Sequence, residues 1–170
     1  MKRTQRVPSG LKELIEFYGN PDVNHDAQVD KGWYFENIKQ LPLPFPLRLA
    51  WDIERKITHL PVHRLVMDSL YDALKDIETE VGLDFLHQHD MDRTAGAYCF
   101  RPIKGGNALS THSWGIAIDL NSHVARWGAA PETQLKVIVQ AFKAQGWIWG
   151  GDWKAPYTCD PMHFQLVSNY

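Results

Sequence analysis

The chain has 170 residues, 44% of them hydrophobic and 22% charged, a composition that lets a folded domain bury a core without a disulfide framework. Its net charge of −2 excludes the broad basic field by which proteins hold nucleic acid or anionic lipid. It also has no run of about 20 apolar residues, which excludes a helix that spans a bilayer. We therefore expect a single domain over residues 1–170, a monomer with no nucleic-acid partner and no insertion into a membrane.

The N-terminus and the cysteines bear on the cellular compartment. The segment MKRTQRVPSG starts with basic residues but no apolar stretch follows, so it is not a secretory signal, and synthesis in the cytoplasm is expected. Cys99 and Cys159 are too few for a disulfide scaffold. Two buried free thiols are the favoured interpretation, and a single bridge between them stays open.

The first half of the chain is predicted to be rich in helix. Ser9 precedes apolar residues at helical spacing and Gly19 is suited to end them, so a short capped helix is expected there. Residues 20–31 are polar and predict a loop. The prolines in residues 41–46 argue against a helix and against a central strand. A long helix is predicted from about residue 61 to residue 80, where apolar residues recur at helical spacing.

The second half is predicted to hold short strands around one helix. Pro131 suits the first turn of that helix and Gly146 its end. Strands are predicted at residues 85–89, 96–101, 116–120, 147–149 and 162–167. Helices first and short strands later predict an α+β fold, with a small antiparallel sheet packed with helices.

Two imidazoles and a carboxylate in the second half can form a metal site. His112 and Asp119 are seven residues apart, a spacing suited to a loop that enters a strand, and Gly115 between them allows a tight bend. Asp119 would end an apolar strand, where an unpaired carboxylate is costly and a metal ion would stabilise it. Together with His163 they supply the three protein ligands of a catalytic zinc site, which leaves one position for water. Spacing alone leaves other interpretations open: a surface or core His112, and an Asp119 that caps a turn.

Two charged residues near these ligands are candidates for the chemistry. Asp160 precedes His163 by three residues and can lie beside a water on the metal, from which it would take a proton and pass it to a leaving amine. Before Pro161 it also suits a plain turn. Arg101, eleven residues before His112, can stabilise an oxyanion or hold a substrate carboxylate.

The same residues lie in a recognisable signature. The string S-x-H-x-x-G-x-A-x-D, from Ser110 to Asp119, resembles the VanY-like zinc peptidases, and so do WGGDW, from Trp149 to Trp153, and DPMHF, from Asp160 to Phe164. That family contains D-alanyl-D-alanine carboxypeptidases and L-alanyl-D-glutamate endopeptidases that act on peptidoglycan. Residues 98–110, YCFRPIKGGNALS, are similar to its strand and loop with a functional arginine. SGLKELIEFYGNP, LPLPFP and PVHRLV also look like the branch that includes phage endolysins.

The resemblance implies a site of defined composition. It implies one Zn²⁺ ion held by His112, Asp119 and His163 on a small sheet of an α+β fold. It also implies Asp160 as general base and acid, and Arg101 as the group that polarises the scissile carbonyl.

The resemblance further implies an activity on the stem peptides of peptidoglycan. The preferred expectation is an endolysin-type L-alanyl-D-glutamate endopeptidase without a separate cell-wall-binding module, released from the host cytoplasm through a holin. The alternative is a D-alanyl-D-alanine carboxypeptidase. Less favoured are a zinc-containing module that binds peptidoglycan without cleaving it and a structural tail component with a vestigial site.

Three residues beside the motifs are candidates for substrate contact. Ser110 is expected to hydrogen-bond the substrate or its own loop. Trp114 and Trp149 are expected to line the substrate cleft, although most tryptophans in such a cluster belong to the core.

The remaining histidines are weighed separately. His87 and His89 would share a face of a strand and could form a second metal pair, but surface positions are favoured because no third ligand is evident. His59 and His63 are interpreted as structural, on either side of a predicted helix start at Pro61. A position near the cleft is disfavoured for His123.

Overall fold

The computed structural model describes residues 6–154 and 157–170. Its α-helices are α1 (Gly10–Tyr18), α2 (Lys31–Asn37), α3 (Met67–Val81), α4 (Leu83–Gln88) and α5 (Lys136–Ala144). Its strands are β1 (Ile38–Leu49), β2 (Asp52–His63), β3 (Arg93–Gly96), β4 (Ala117–Leu120), β5 (Ile148–Trp149) and β6 (His163–Gln165). No helix in this part of the chain is both long and apolar enough to cross a membrane.

The strands form one mixed sheet in the order β2-β1-β3-β4-β6-β5. Every neighbouring pair is antiparallel except β1 and β3, which run parallel. The parallel pair arises because α3 and α4 form a crossover between β2 and β3, and a parallel neighbour needs such a connection. The predicted α+β fold is confirmed, with one parallel pair in a sheet for which the sequence predicts only antiparallel pairs.

Helices α3 and α5 pack on the sheet through their apolar faces. Helix α3 packs against α5 and β1, and α5 packs against β5. The buried side chains of α3 recur at the predicted helical spacing, at Leu70, Ala73, Leu74 and Ile77. On α5, the Phe142 ring lies 4.3 Å from the Phe164 ring of β6, centroid to centroid. Each such large side chain stabilises the fold by roughly 1.5–3 kcal/mol when fully buried, so β6 is held firmly in place.

The proline-rich segment is part of a strand that the sequence does not predict. Pro42 pairs with His59 of β2, and the pairing is irregular from there to Leu47. Strand β3 pairs with β1 only at Arg48 and Leu49. The prolines therefore have β2 on one side and no strand of the described residues on the other. Their missing N–H groups interrupt no ladder on that side. The prediction against a central strand is nevertheless wrong, because residues 41–46 belong to β1, which lies between β2 and β3 in the sheet.

Two predicted elements in the middle of the chain are wrong in position or type. The long helix begins at Met67 rather than near residue 61, because residues 59–63 pair with β1 and extend β2 up to His63. Residues 85–89 form the end of α4 rather than a strand, with Leu86 as the buried residue of that helix. A one-sided helix of this length has few apolar positions, which leaves little periodicity to detect.

Boundaries in the second half also move. The strand predicted at residues 96–101 is wrong, because β3 ends at Gly96 and residues 97–101 have no regular strand structure. Pro131 begins a short 3-10 turn, and the regular helix α5 starts only at Lys136. The strands predicted at 116–120, 147–149 and 162–167 are confirmed as β4, β5 and β6. The short helix after Ser9 is confirmed as α1, and residues 20–30 form the predicted loop before α2.

Three ring nitrogens satisfy the carbonyl groups at the end of α1. The Tyr18 carbonyl accepts from Trp33 Nε1 at 2.9 Å and from His63 Nε2 at 3.1 Å. The Gly19 carbonyl accepts from Trp114 Nε1 at 2.9 Å. Helix ends leave such carbonyls without intrahelical partners, so these bonds join α1, α2, β2 and the turn before β4 into one unit.

Candidate metal centre

Asp119 and His163 are direct cross-strand partners. Strand β4 pairs with β6 so that Asp119 lies opposite His163 and Ala117 lies opposite Gln165. Because side chains alternate along a strand, these four residues share one face of the sheet. His163 Nδ1 lies 2.9 Å from Asp119 Oδ1, and both residues are buried.

A short turn before β4 brings His112 to the same face. Thr111–Trp114 form a 3-10 turn, and the Ser110 hydroxyl at its start accepts from the His112 N–H at 3.4 Å. His112 Nδ1 lies 2.7 Å from the Ala97 carbonyl oxygen, so Nδ1–H donates and the lone pair is on Nε2. His112 Nε2 lies 3.3 Å from Asp119 Oδ2. The two imidazoles thus approach the two oxygens of one carboxylate.

Gly115 allows the turn to enter β4 at this point. Its φ of 67° is in the left-handed region, and its N–H donates to the His112 carbonyl at 3.0 Å. A Cβ atom there would lie 2.8 Å from the His63 backbone nitrogen. Only glycine meets both demands, since other residues are strained at this φ and the backbone of β2 leaves no space.

The three side chains have the composition and spacing of a zinc site. His112, Asp119 and His163 offer one ligand atom each, all within 4.8 Å of one another. His112 Nε2 is buried and has no hydrogen-bond partner among the described residues. Two imidazole nitrogens and one carboxylate oxygen suit Zn²⁺, and three protein ligands are typical of a catalytic site. The residues therefore fit the predicted zinc ion.

The charges in this group favour an ionised Asp119. Burial raises the pKa of the Asp119 carboxyl, but the facing imidazoles of His112 and His163 outweigh burial and lower that pKa far below its usual range. For His163, burial lowers the pKa, but the Asp119 carboxylate, with help from Gln165 and Asp160, raises it more. The pKa of His163 therefore lies above its usual value. A carboxylate that stays ionised when buried is suited to binding a cation.

Asp160 lies in a buried turn next to the ligand His163. Its carbonyl accepts from the His163 N–H at 3.1 Å, and its own N–H donates to the Gly150 carbonyl at 2.9 Å. Asp160 Oδ1 is buried without a hydrogen-bond partner among the described residues. Burial raises the pKa of Asp160 to about 6, partly offset by the charge of His163. A carboxyl group tuned upward by burial is typical of a general base or acid.

Polar side chains far apart in sequence hold this turn. The Pro161 carbonyl accepts from Trp149 Nε1 at 2.8 Å and from Gln134 Nε2 at 3.3 Å. The Gln134 side chain also accepts from Asn121 Nδ2 at 3.0 Å. These residues are buried and fix Asp160 relative to β4. Sequence reasoning misses Gln134 and Asn121, because no local pattern indicates which distant carbonyl a buried amide binds.

Arg101 lies on the segment beside the His112 turn. Its N–H donates to Ser113 Oγ at 3.0 Å, and its carbonyl accepts from the Ser110 N–H at 2.9 Å. Its side chain is exposed, and Nη1 donates to the Pro102 carbonyl at 3.4 Å. No carboxylate among the described residues forms an ion pair with this guanidinium. The backbone position is therefore fixed while the guanidinium stays available to an incoming anion.

The residues predicted to touch substrate are mostly covered. Ser110 is buried, with its hydroxyl occupied at the start of the His112 turn. Trp114 is 1% exposed and Trp149 is 8% exposed, and both indole nitrogens bind backbone carbonyls. Their burial favours a packing role, and substrate contact by these three residues stays a prediction. Trp153, the last residue of the WGGDW motif, is half-buried with its ring 5.4 Å from the His163 ring.

The other histidines lie apart from this group. His87 and His89 are on and just after α4, not on a strand, and His87 Nδ1 lies 3.2 Å from Asp92 Oδ2. His123 Nε2 lies 3.9 Å from Asp90 Oδ2. Among the described residues, only the His112–Asp119–His163 group has the geometry to hold a metal ion.

His63 has the structural role that the sequence predicts for it, and the cysteines differ from expectation. His63 is fully buried and binds the Tyr18 carbonyl, whereas His59 is exposed on β2. Cys99 and Cys159 are free thiols, so no bridge forms between them. Cys99 is exposed and Cys159 half-buried, so the expectation of two buried thiols is wrong.

An α+β fold with a His–Asp–His group that could hold a metal ion, and a buried carboxyl group nearby, is typical of metal-dependent hydrolases. The family model described as D-alanyl-D-alanine carboxypeptidase matches residues 104–166. The matched stretch contains the three candidate ligands and Asp160, and it begins three residues after Arg101. The match supports a zinc metallopeptidase of this kind, with peptidoglycan as the substrate that the family implies. No solved structure matches the chain.

Proposed function

We propose that this protein is a zinc-dependent endopeptidase that hydrolyses the bond between L-alanine and D-glutamate in peptidoglycan stem peptides. The observation that carries the proposal is the pair of buried acceptors, His112 Nε2 and Asp160 Oδ1, which have no hydrogen-bond partner in the described part of the chain. A buried polar atom without a partner is costly unless a ligand satisfies it. A metal ion would satisfy the first, and a water or substrate amide the second.

The zinc ion, when bound, would polarise a carbonyl oxygen and favour ionisation of water at neutral pH. His112, Asp119 and His163 would hold it, two as neutral imidazoles and one as a carboxylate. Asp160 would take a proton from the attacking water at Oδ1 and deliver it to the leaving amine. The buried turn around Asp160 keeps the carboxyl group at one place, which reduces the reorganisation that proton transfer requires.

Arg101 would stabilise the negative charge that develops on the scissile carbonyl oxygen. Its guanidinium has no ion-pair partner in the described residues, and Ser110 and Ser113 anchor its backbone. A fixed cation that meets developing charge lowers the barrier more than one that must first leave a carboxylate.

A second candidate is a D-alanyl-D-alanine carboxypeptidase, which the description of the matching family favours. That activity requires a cation for the free terminal carboxylate of the substrate. Lys104 is exposed on the same loop as Arg101 and could supply it. For the cellular role, we propose lysis of a host wall by the monomeric domain after release from the cytoplasm.

Digestion of purified peptidoglycan with the zinc-loaded protein, followed by mass spectrometry of the fragments, tests the proposal. New L-alanine carboxyl termini and D-glutamate amino termini are expected. Release of terminal D-alanine would favour the carboxypeptidase. Binding to peptidoglycan without any cleavage would overturn both and favour a non-catalytic module.

A further inference from the structure

Gln165 contacts the ligand His163 on the side away from Asp119. Gln165 Oε1 lies 2.9 Å from His163 Nε2, and the Gln165 side chain is buried. Because an amide oxygen only accepts, Nε2 must carry the proton in this contact. The other ring nitrogen, Nδ1, then faces Asp119.

The orientation of the Gln165 amide is itself fixed. Its Nε2 donates to the Val167 carbonyl at 2.8 Å. A flipped amide would place Oε1 against that carbonyl, where two acceptors repel, and would present N–H groups to His163. The backbone at Val167 therefore determines which atom of Gln165 meets the histidine.

The sheet register provides the space for this contact. Gln165 and His163 are two residues apart on β6, so they share a face, and the partner of Gln165 across the ladder is the small Ala117. A larger residue at Ala117 would compete with the amide for this position. The two ligands Asp119 and His163 thus lie beside the pair of Ala117 and Gln165 on one face of the sheet.

The two ligand histidines differ in how they are oriented. A backbone carbonyl, that of Ala97, fixes His112. A side chain fixes His163, with the Thr111 hydroxyl at 3.4 Å as a longer second contact of the same nitrogen. The position of the His163 proton therefore depends on a side chain, which a substitution can remove.

We propose that Gln165 is a positioning residue that keeps the proton of His163 on Nε2 and so directs the Nδ1 lone pair at the zinc ion. The proposal rests on the zinc site of the proposed function and names the residue that orients its second imidazole ligand, His163. Partners of this kind typically change metal affinity about 10–100-fold when removed.

Two substitutions separate the acceptor from the volume of Gln165. Gln165→Met retains a similar side-chain length but removes the acceptor, whereas Gln165→Glu retains an acceptor for Nε2–H. Gln134→Met is the matched control, because Gln134 is an equally buried glutamine that binds carbonyls without touching a metal ligand. The dissociation constant for zinc is measured by competition with a chromophoric chelator, with circular dichroism as a check on folding.

Gln165→Met is expected to weaken zinc binding about 10–100-fold, whereas Gln165→Glu and Gln134→Met stay close to the native value. In ¹⁵N NMR of the zinc-loaded native protein, His163 is expected to show a protected Nε2–H, which persists in Gln165→Glu and is lost in Gln165→Met. Native affinity in Gln165→Met, or equal weakening in Gln134→Met, would overturn the proposal. A native protein whose His163 proton lies on Nδ1 would overturn it even if no variant folds.

The outcomes also separate this inference from the proposed function. A native protein that binds zinc but cleaves no peptidoglycan contradicts the proposed function and leaves the Gln165 comparison intact. A native protein that cleaves peptidoglycan while Gln165→Met binds zinc normally contradicts the inference alone. A native protein that binds no zinc contradicts both.

Discussion

Asp119 and His163 face each other across the β4–β6 ladder, with His163 Nδ1 2.9 Å from Asp119 Oδ1. A pair of adjacent antiparallel strands fixes the backbone positions from which these two side chains extend. His112 completes the group from a turn that needs Gly115. The site is thus built on a rigid sheet, which favours a preorganised metal centre.

Replacement of Asp160 is expected to affect catalysis alone, whereas replacement of His163 is expected to affect zinc binding as well. Asp160→Asn should retain zinc, because Asp160 is not in the group of candidate ligands, but should lose about 10²–10⁴-fold in kcat because it cannot accept a proton. His163→Ala should lose zinc as well as activity. Metal analysis and peptidoglycan hydrolysis of the two variants check this. Full turnover by Asp160→Asn would refute the role assigned to that carboxyl group.

Arg101→Ala is expected to lower kcat/KM about 10²–10³-fold without loss of zinc, because developing charge on the carbonyl oxygen would lose its cation. Arg101→Lys should recover part of the rate, since the charge is restored without the planar fork. Arg55→Ala, which removes an exposed arginine of β2, is the control for a general effect of charge. Equal losses in Arg101→Ala and Arg55→Ala would show that the position of the guanidinium is unimportant.

Gly115→Ala is expected to reduce the free energy of unfolding by more than the roughly 1–2 kcal/mol of left-handed strain, because its Cβ would also press on the His63 backbone. Gly105→Ala is the matched control, since Gly105 also has a positive φ, of 82°, but has open space around it. Urea unfolding of both variants measures the difference. Equal losses would mean that the close approach to β2 costs nothing.

Stability is expected to fall on acidification because of His63. Burial lowers the pKa of His63 to about 4, and its neutral ring accepts from the Leu65 N–H through Nδ1 while Nε2–H donates to the Tyr18 carbonyl. Unfolded His63 takes up a proton below its ordinary pKa of about 6.5, whereas the folded form does not until about pH 4. Acid therefore favours the unfolded state across this window, by about 3 kcal/mol at its lower end.

His63→Gln should remove most of this pH dependence, because an amide can bind the same carbonyl without titrating. Urea unfolding of the native and variant proteins between pH 7 and pH 4 gives the free energy of unfolding at each pH. The contribution of His63 is the difference between the two proteins in how this free energy changes with pH. The same change with pH in both proteins would contradict a neutral, buried His63.

Much of the site is predictable from sequence because its ligands are few and chemically distinctive. His112, Asp119 and His163 lie within reach of one ion, and Asp160 lies in the turn next to His163, as the signature implies. The supports are not predictable: Gln134 and Gln165 bind carbonyls that only the sheet register brings near. Arg101 is intermediate, since the structure fixes its backbone but leaves its side chain exposed.

The helices and strands likewise divide into those that the sequence predicts and those that it does not. Amphipathic spacing predicts α1 and α3, and apolar runs predict β4, β5 and β6. The β1–β2 hairpin is missed because its prolines at residues 41–46 weigh against a helix and a central strand, and only long-range pairing shows that they have a strand neighbour on one side alone. Helix α4 is mistaken for a strand because a single buried side chain, Leu86, carries no period.

X-ray absorption spectroscopy at the zinc edge of the loaded protein tests the central claim most directly. The account predicts one zinc ion per chain with two imidazole ligands and nitrogen or oxygen neighbours at about 2.0–2.2 Å. His112→Ala, which removes one of the two imidazoles, should lose zinc as His163→Ala does. A sulfur neighbour at about 2.3 Å, which would bring Cys99 or Cys159 into the site, or a protein that takes up no zinc, would contradict it.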